Sequence, residues 1–262
     1  MNKVLGRKQS STNGQWLEAV GNIERLISFD EVEELAEKAV RDIRTASAGM
    51  KTAYGWSGGK DSIVLGKLCE RAEVSDCFFG HCDLEFSAFL DWALANRPKG
   101  CRVINTHVDF RWLSEHPDML FVDDAKRLNR WYGLVQRKAF ADYCAEEKPD
   151  FIIVGHRTLD GNVCGENGFI RKRSGEVRYS PLANWPHEAI LGYIHYHNLA
   201  LPPVYRWEDG YVFGPTPWPI WGHPKDDADG WRMIYELEPT ILPEAAKWFS
   251  SARDFLETEA AR

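Results

Sequence analysis

No run of eighteen apolar residues occurs in the 262-residue chain, so no membrane-spanning helix is expected. No CxxC pair occurs either. The six cysteines, Cys69, Cys77, Cys82, Cys101, Cys144 and Cys164, are scattered at spacings that suit neither a zinc ribbon nor an iron–sulfur cluster. The stretch MNKVLGRKQSSTNGQW lacks the apolar core of a secretory signal, so reduced thiols in a cytoplasm are the expectation. Positive charge is not in excess: 32 Lys and Arg stand against 39 Asp and Glu, a formal net charge of −7. That argues against a general nucleic-acid coat, although local basic runs leave nucleic acid open as a partner. No internal repeat or low-complexity tract is visible.

What remains is the composition of an ordinary globular protein, 44% hydrophobic and 27% charged, with eleven tryptophans. Many of them lie between Trp185 and Trp248. Aromatic packing beneath irregular chain is the expectation there, with a stacking wall for a substrate as the alternative.

Hydrophobic spacing predicts alternating helices and strands. Residues 1–29 read as a flexible polar arm. Asp30 reads as an N-cap with Glu33 three residues on, followed by Val32, Leu35, Ala36, Val40 and Ile43 at helical spacing. Strands are expected at 52–56, 77–81, 102–106, 151–154 and, more weakly, 177–182. Helices are expected at 62–70, 86–96, 124–147 and 186–197. Such alternation predicts crossover units, a five-stranded parallel sheet and helices on both faces. Residues 30–200 would form this unit. From 201 to 262 six prolines break the chain before two further helical stretches, which reads as an irregular, aromatic-rich, partly helical C-terminal extension.

The stretch GWSGGKDS, Gly55 to Ser62, falls at the end of the first strand and the start of a helix. Gly58 and Gly59 let the backbone turn its N–H groups inward, and the helix adds its own free N–H groups and the positive end of its dipole. Ser57 and Ser62 offer hydroxyls and Lys60 a mobile charge. Phosphate is the expected guest. The Walker A pattern fails, because Asp61 follows Gly59-Lys60 where Ser or Thr is needed, and GxGxxG cannot be laid on Gly55, Gly58 and Gly59.

SGGKDS does resemble the SGGxDS pyrophosphate-binding loop of the PP-loop ATP pyrophosphatases, the adenine nucleotide alpha hydrolase-like superfamily. The resemblance extends to the phosphoadenosine phosphosulfate (PAPS) reductase-like family. In HCDLEFSAFLDW, Asp83, Glu85 and Phe86 align with a "DTGxEFPET"-like stretch. Gly155, His156 and Arg157, with Asp160, resemble "GxRxxES". YSPLANWPHEAILGYIHYHNLALPPVY resembles "PLxDWTxxDVWxYIxxxxLPxxPLY". The matches run from about Thr52 to Tyr205 and imply a Rossmann-like sheet that binds ATP or a PAPS-like nucleotide.

Departures from that pattern redirect the chemistry. The reductases carry a nucleophilic cysteine in an "ECGLH"-like tail, whereas here no cysteine follows Cys164, so true PAPS reduction is disfavoured and no cluster is expected. Asp160-Gly161 replaces the usual Glu-Ser. The resemblance then implies cleavage of ATP at its α-phosphate, adenylation of a small anionic acceptor and release of pyrophosphate. Ser57, Gly58, Gly59, Lys60, Asp61 and Ser62 would hold the leaving group, while Asp83, Gly155, His156 and Arg157 complete the nucleotide site. Lys60, Arg157 and Asp61 would be catalytic, and Asp61 would be a magnesium ligand or a helix N-cap. Sulfur transfer or nucleic-acid modification by the same adenylation, and a non-catalytic nucleotide sensor, are the alternatives. Dimerisation is common among relatives, but no sequence feature demands it.

In RKRSGEVR, Arg171, Lys172 and Arg173 are candidates for gripping an anionic substrate, against a solvated charged turn. Lys126, Arg127, Arg130, Arg137 and Lys138 read as a solvated helix face. Cys77, His81, Cys82 and Cys101 make a weak zinc set, and His195 and His197 do not share a helix face.

Overall fold

A computed structural model describes residues 5–6, 10–172 and 175–260. Helices α1 (Asn13–Gly21) and α2 (Ile23–Leu26) lead into α3 (Phe29–Ser47). Next come β1 (Thr52–Gly55), α4 (Lys60–Arg71), β2 (Cys77–His81), α5 (Ser87–Asn96) and β3 (Arg102–Asn105). Helices α6 (Phe110–Glu115) and α7 (Ala125–Tyr132) precede a π-helical segment at Gly133–Arg137, then α8 (Lys138–Glu147) and β4 (Phe151–Ile153). A hairpin of β5 (Phe169–Arg171) and β6 (Val177–Tyr179) is followed by α9 (His187–Tyr196) and α10 (Gly210–Phe213). Helices α11 (Asp227–Leu237), α12 (Ile241–Trp248) and α13 (Ser250–Ala260) close the chain.

The strands form one sheet in the order β3-β2-β1-β4-β6-β5, parallel except where β5 pairs antiparallel with β6. The expected five-stranded sheet thus has a sixth, edge strand. Phe169–Arg171 is too short to show alternation, and it forms because Phe169 stacks on Tyr179 of β6 with ring centroids 4.3 Å apart.

Alternate strand residues feed two separate apolar clusters. Tyr54, Phe79 and Ile153 join the large core with α3, α4 and α9, whereas Ala53, Phe78, Ile152 and Val154 pack with Tyr143 of α8 on the other face. Both faces are therefore covered, as a parallel sheet requires. The order of the strands reverses between β1 and β4, so the loops that follow these two strands flank the switch point where such sheets bind ligands.

Three local expectations need correction. The N-cap of α3 is Ser28, whose hydroxyl accepts from Glu31 N while the Glu31 side chain returns to the Ser28 backbone. Glu33 pairs with Arg71 and His197 instead. The helix over 124–147 is capped by Asp124 but widens into the π segment before α8. Gly80 of β2 lets α8 lie flush there, since a Cβ would collide with Ala139. Finally, within the segment expected as a flexible arm, residues 13–21 and 23–26 are helical, and Trp16, Ala19 and Ile23 are buried. Their apolar faces pack on the 187–211 region, which no local pattern shows. Residues 1–4 and 7–9 of that arm lie outside the described residues.

The C-terminal region folds back over the carboxyl ends of the strands. Trp218 N donates to Leu84 O at 3.0 Å, and Glu238 accepts from Ser87 N and Ala88 N at the start of α5. Trp207 and Trp221 pack around Phe86, and Trp231 packs on Phe121 and Trp218. In this region the aromatics are packing material. Among the described residues, no helix is long and apolar enough to cross a membrane.

Candidate nucleotide-binding site

The loop after β1 closes on itself. Gly58 has φ +70°, and a Cβ there would lie 2.8 Å from Phe89 of α5, so both conformation and space call for glycine. The Ser62 hydroxyl accepts from Ser57 N at 3.1 Å and donates to Gly59 O at 2.9 Å. Ser62 therefore staples the loop, while Ser57 is exposed at its rim. The N–H groups of Gly58 and Gly59 have no acceptor among the described residues, and they sit at the N-terminus of α4, whose N-cap is Gly59 with no side-chain cap. Unsatisfied N–H groups at a helix N-terminus, turned by a left-handed glycine, make an anion-binding concavity. The next donor, Lys60 N, is already taken by the Tyr205 hydroxyl at 2.9 Å.

Beneath the loop lies a network of buried charges. Lys60 is 2% exposed and Arg157 is completely buried. Asp61 faces both: Oδ2 is 2.7 Å from Lys60 Nζ, and Oδ1 is 2.7 Å from Arg157 Nε. Arg157 also reaches Asp160 at 3.0 Å and donates to Trp185 O at 3.2 Å. Its Nη2 lies 2.8 Å from His187 Nδ1. Burial, then the cations Arg157 and Lys60, hold the His187 imidazole down at about 3, so it is neutral and its Nδ1 accepts from Arg157. Lys60 and Arg157 thus meet the carboxylates of Asp61 and Asp160 in one network. The arrangement depends on β4 and α4 approaching closely: a Cβ on Gly155 would already touch the Asp61 and Ser62 backbone at 3.5–3.6 Å.

The remaining expected residues divide. Asp83 lies at the carboxyl end of β2, exposed, accepting from Asn105 Nδ2 at 2.5 Å and 3.8 Å from His107 Nδ1. His156 is exposed beside Arg157. Glu85 has a buried Oε2 without a hydrogen-bond partner, and burial pushes its carboxyl up to about 8. Arg171 and Lys172 are exposed, but strand register sets Arg171 level with Val177 and Phe151, at the start of the parallel strands. That is the opposite end of the sheet from the glycine loop and three strand spacings away, about 14 Å. The structure does not bring these two candidates to the loop, because the hairpin turns back at the amino end of β6. Arg173 lies outside the described residues.

Among the described residues, no group of three or more His, Cys, Asp or Glu side chains could hold a metal ion. Both oxygens of Asp61 face cations, Lys60 and Arg157. His195 and His197 contact Glu24 and Glu33 separately.

Sequence reasoning missed Trp16, Tyr205 and His187. Tyr205 and His187 lie within the quoted YSPLANW…PPVY segment and could have been flagged there. Trp16 carries no local signal. Two cavities flank the loop instead of opening on it. One of about 800 Å³ lies between α4 and α5 and is lined by Trp56 and Trp92; one of about 360 Å³ lies behind Tyr205 and Tyr211.

A family model for the phosphoadenosine phosphosulfate reductase domain matches residues 51–212, more than half of the chain. The chain belongs to that family. It is therefore a PP-loop protein of the adenine nucleotide alpha hydrolase-like superfamily. PAPS reductase from Candida auris, solved as a phosphate complex, has a similar fold at 15% identity, with 67% of this chain and 90% of that chain covered and a TM-score of 0.50. An NH3-dependent NAD synthetase from Campylobacter jejuni aligns at 15% identity over 87% of this chain and 95% of that one, TM-score 0.45. FMN adenylyltransferase from Candida glabrata, in complex with FMN and an ATP analogue, aligns at 13% identity over 75% and 71%, TM-score 0.44. No curated protein matches the chain in sequence. The last cysteine of the chain, Cys164, is 3% exposed, and burial holds its thiol above the ordinary value.

Proposed function

We propose that the protein binds ATP, or a closely related adenine nucleotide, and cleaves it at the α-phosphate, adenylating a small anionic acceptor and releasing pyrophosphate. The observation that carries this reading is the pair of unsatisfied N–H groups on Gly58 and Gly59 at the N-terminus of α4, backed by buried Lys60 and Arg157. Such a site favours the leaving pyrophosphate over the neutral parts of a nucleotide, and preorganised donors need no rearrangement as charge develops there. Lys60 would contact the phosphates, drawn partly from Asp61. Arg157 holds Asp61 and Asp160 in place and supplies positive field from beneath. Asp83, at the end of β2, would face the ribose or base. Magnesium enters as part of the magnesium–nucleotide substrate, coordinated by phosphate oxygens, which is the usual arrangement where no protein cage exists. An acceptor that is already an anion needs no general base.

Two further alternatives differ in support. Sulfur transfer through Cys164 is disfavoured by the burial of that thiol. Binding without turnover is favoured by the full engagement of Asp61 with two cations. Calorimetric titration with ATP, AMP, PAPS and adenosine 3′,5′-bisphosphate, together with a pyrophosphate-release assay across candidate anionic acceptors, tests the reading. Wild type should bind at least one of these nucleotides, and Lys60→Ala should weaken binding about tenfold or more. Absence of any adenine-nucleotide binding would sink the proposal. Binding with no pyrophosphate release for any acceptor would leave the sensor reading in its place.

A further inference from the structure

The ammonium of Lys60 has a second neighbour besides Asp61. Its Nζ lies 5.2 Å from the centroid of the Trp16 ring, within the range of a cation–π contact. Trp16 is on α1, outside residues 51–212 that match the family model. The indole is fully buried and fixed from two sides: the His187 ring meets it edge-on at 4.6 Å, and the Tyr211 ring stacks on it at 5.8 Å and 12°. Asn13 of the same helix accepts from Tyr211 N at 3.2 Å. The Trp16 Nε1 is buried without an acceptor. The indole is thus not held there by a hydrogen bond of its own, and what it offers the site is its ring face.

We propose that α1 is part of the nucleotide site and that Trp16 is a positioning residue acting through Lys60. The inference rests on the function proposed above and adds a residue from outside the matched domain. Its physical basis is a competition. Asp61 attracts the Lys60 ammonium but neutralises it, leaving less charge for a phosphate. The indole face attracts the ammonium without neutralising it, so it carries part of the hold on a desolvated cation and eases its transfer from Asp61 to an anion. His187, kept neutral beside Arg157, supports the indole without adding charge. With the ring removed, the Lys60 ammonium would rest on Asp61 alone, and pyrophosphate would have to pull it away unaided.

The test is a double-mutant cycle read by calorimetry with inorganic pyrophosphate, and with magnesium-ATP in parallel. Trp16→Leu should weaken pyrophosphate binding about tenfold, whereas Trp16→Phe, which keeps a ring face, should recover most of the affinity. Lys60→Met should also weaken binding, and Trp16→Leu added to Lys60→Met should cost nothing further. Equal losses from Trp16→Leu in the two backgrounds would mean a merely structural role and overturn the inference alone. If Trp16→Leu fails to fold, Trp16→Met, which fills more of the space without a ring face, takes its place in the cycle. Its loss should then vanish in the Lys60→Met background, and a loss that persists there overturns the inference. A wild-type protein that binds neither pyrophosphate nor ATP overturns the functional reading itself, and this inference with it.

Discussion

Replacing Arg157 by methionine removes the group on which the buried network converges. Methionine has similar length and no charge. Asp61 would keep Lys60 at 2.7 Å, but Asp160, only 14% exposed, would lose its ion-pair partner, and His187 Nδ1 its donor. Breaking a buried ion pair by removing one partner costs about 3–5 kcal/mol. Since Asp61 keeps one cation and Asp160 can turn toward water, the lower end, about 3 kcal/mol, is the expected loss. For a chain of this size that corresponds to a melting temperature lower by about 6–12 °C. Differential scanning calorimetry at pH 7 reads it directly, with the exposed Arg171→Met as the control, expected within about 0.5 kcal/mol of wild type. Arg157→Lys should recover only part of the loss, because a single ammonium cannot serve both carboxylates with the planar fork of a guanidinium. Melting of Arg157→Met within about 2 °C of wild type would refute the reasoning, since the buried charges would then be compensated by groups other than those named.

Two other outcomes follow from the same site. Gly58→Ala places a Cβ 2.8 Å from Phe89 at a φ of +70°, so it should destabilise the protein by about 1–3 kcal/mol and weaken pyrophosphate binding, read by thermal melts and calorimetry; unchanged binding would mean that the loop geometry is not what receives the anion. The imidazole of His187 takes a proton near 6.5 when unfolded and only near 3 when folded. Between those values the unfolded state binds more protons, so this contribution is full above about pH 6.5 and is lost as pH falls toward 3, by up to about 1.4 kcal/mol per pH unit. Melting curves at pH 4.5, 5.5 and 7 should flatten in His187→Gln, and an unaltered pH slope would count against a buried neutral histidine.

Much of this site is legible along the chain because it is built from contiguous backbone. A strand, two glycines and a helix start follow one another within eight residues, and the chemistry of a turn is local. The alternation of strands and helices is likewise local, and with right-handed crossovers it leads to a doubly covered parallel sheet. Elements whose stability comes from partners distant in sequence were less visible. The strand at Phe169–Arg171 exists because Tyr179 lies across from Phe169, and the helix at Asn13–Gly21 because its apolar face finds the 187–211 region. Arg171 and Lys172 show the same dependence on packing: a basic run near a nucleotide fold suggests a substrate grip, and strand register sets Arg171 at the end of the sheet opposite the glycine loop.

The sequence by itself determined that a double-glycine turn joins the first strand to a helix, that the chain resembles the PAPS reductase-like family, and that no cysteine follows Cys164. Only the tertiary structure decided that Asp61 is shared by Lys60 and Arg157, that the Tyr205 hydroxyl occupies the Lys60 N–H, and that Trp16 reaches the Lys60 ammonium. The reason is distance along the chain. Tyr205 is 145 residues from Lys60, and no hydrophobic period or turn signal encodes which buried side chain will face which charge once the sheet, its helices and the two ends of the chain have packed together.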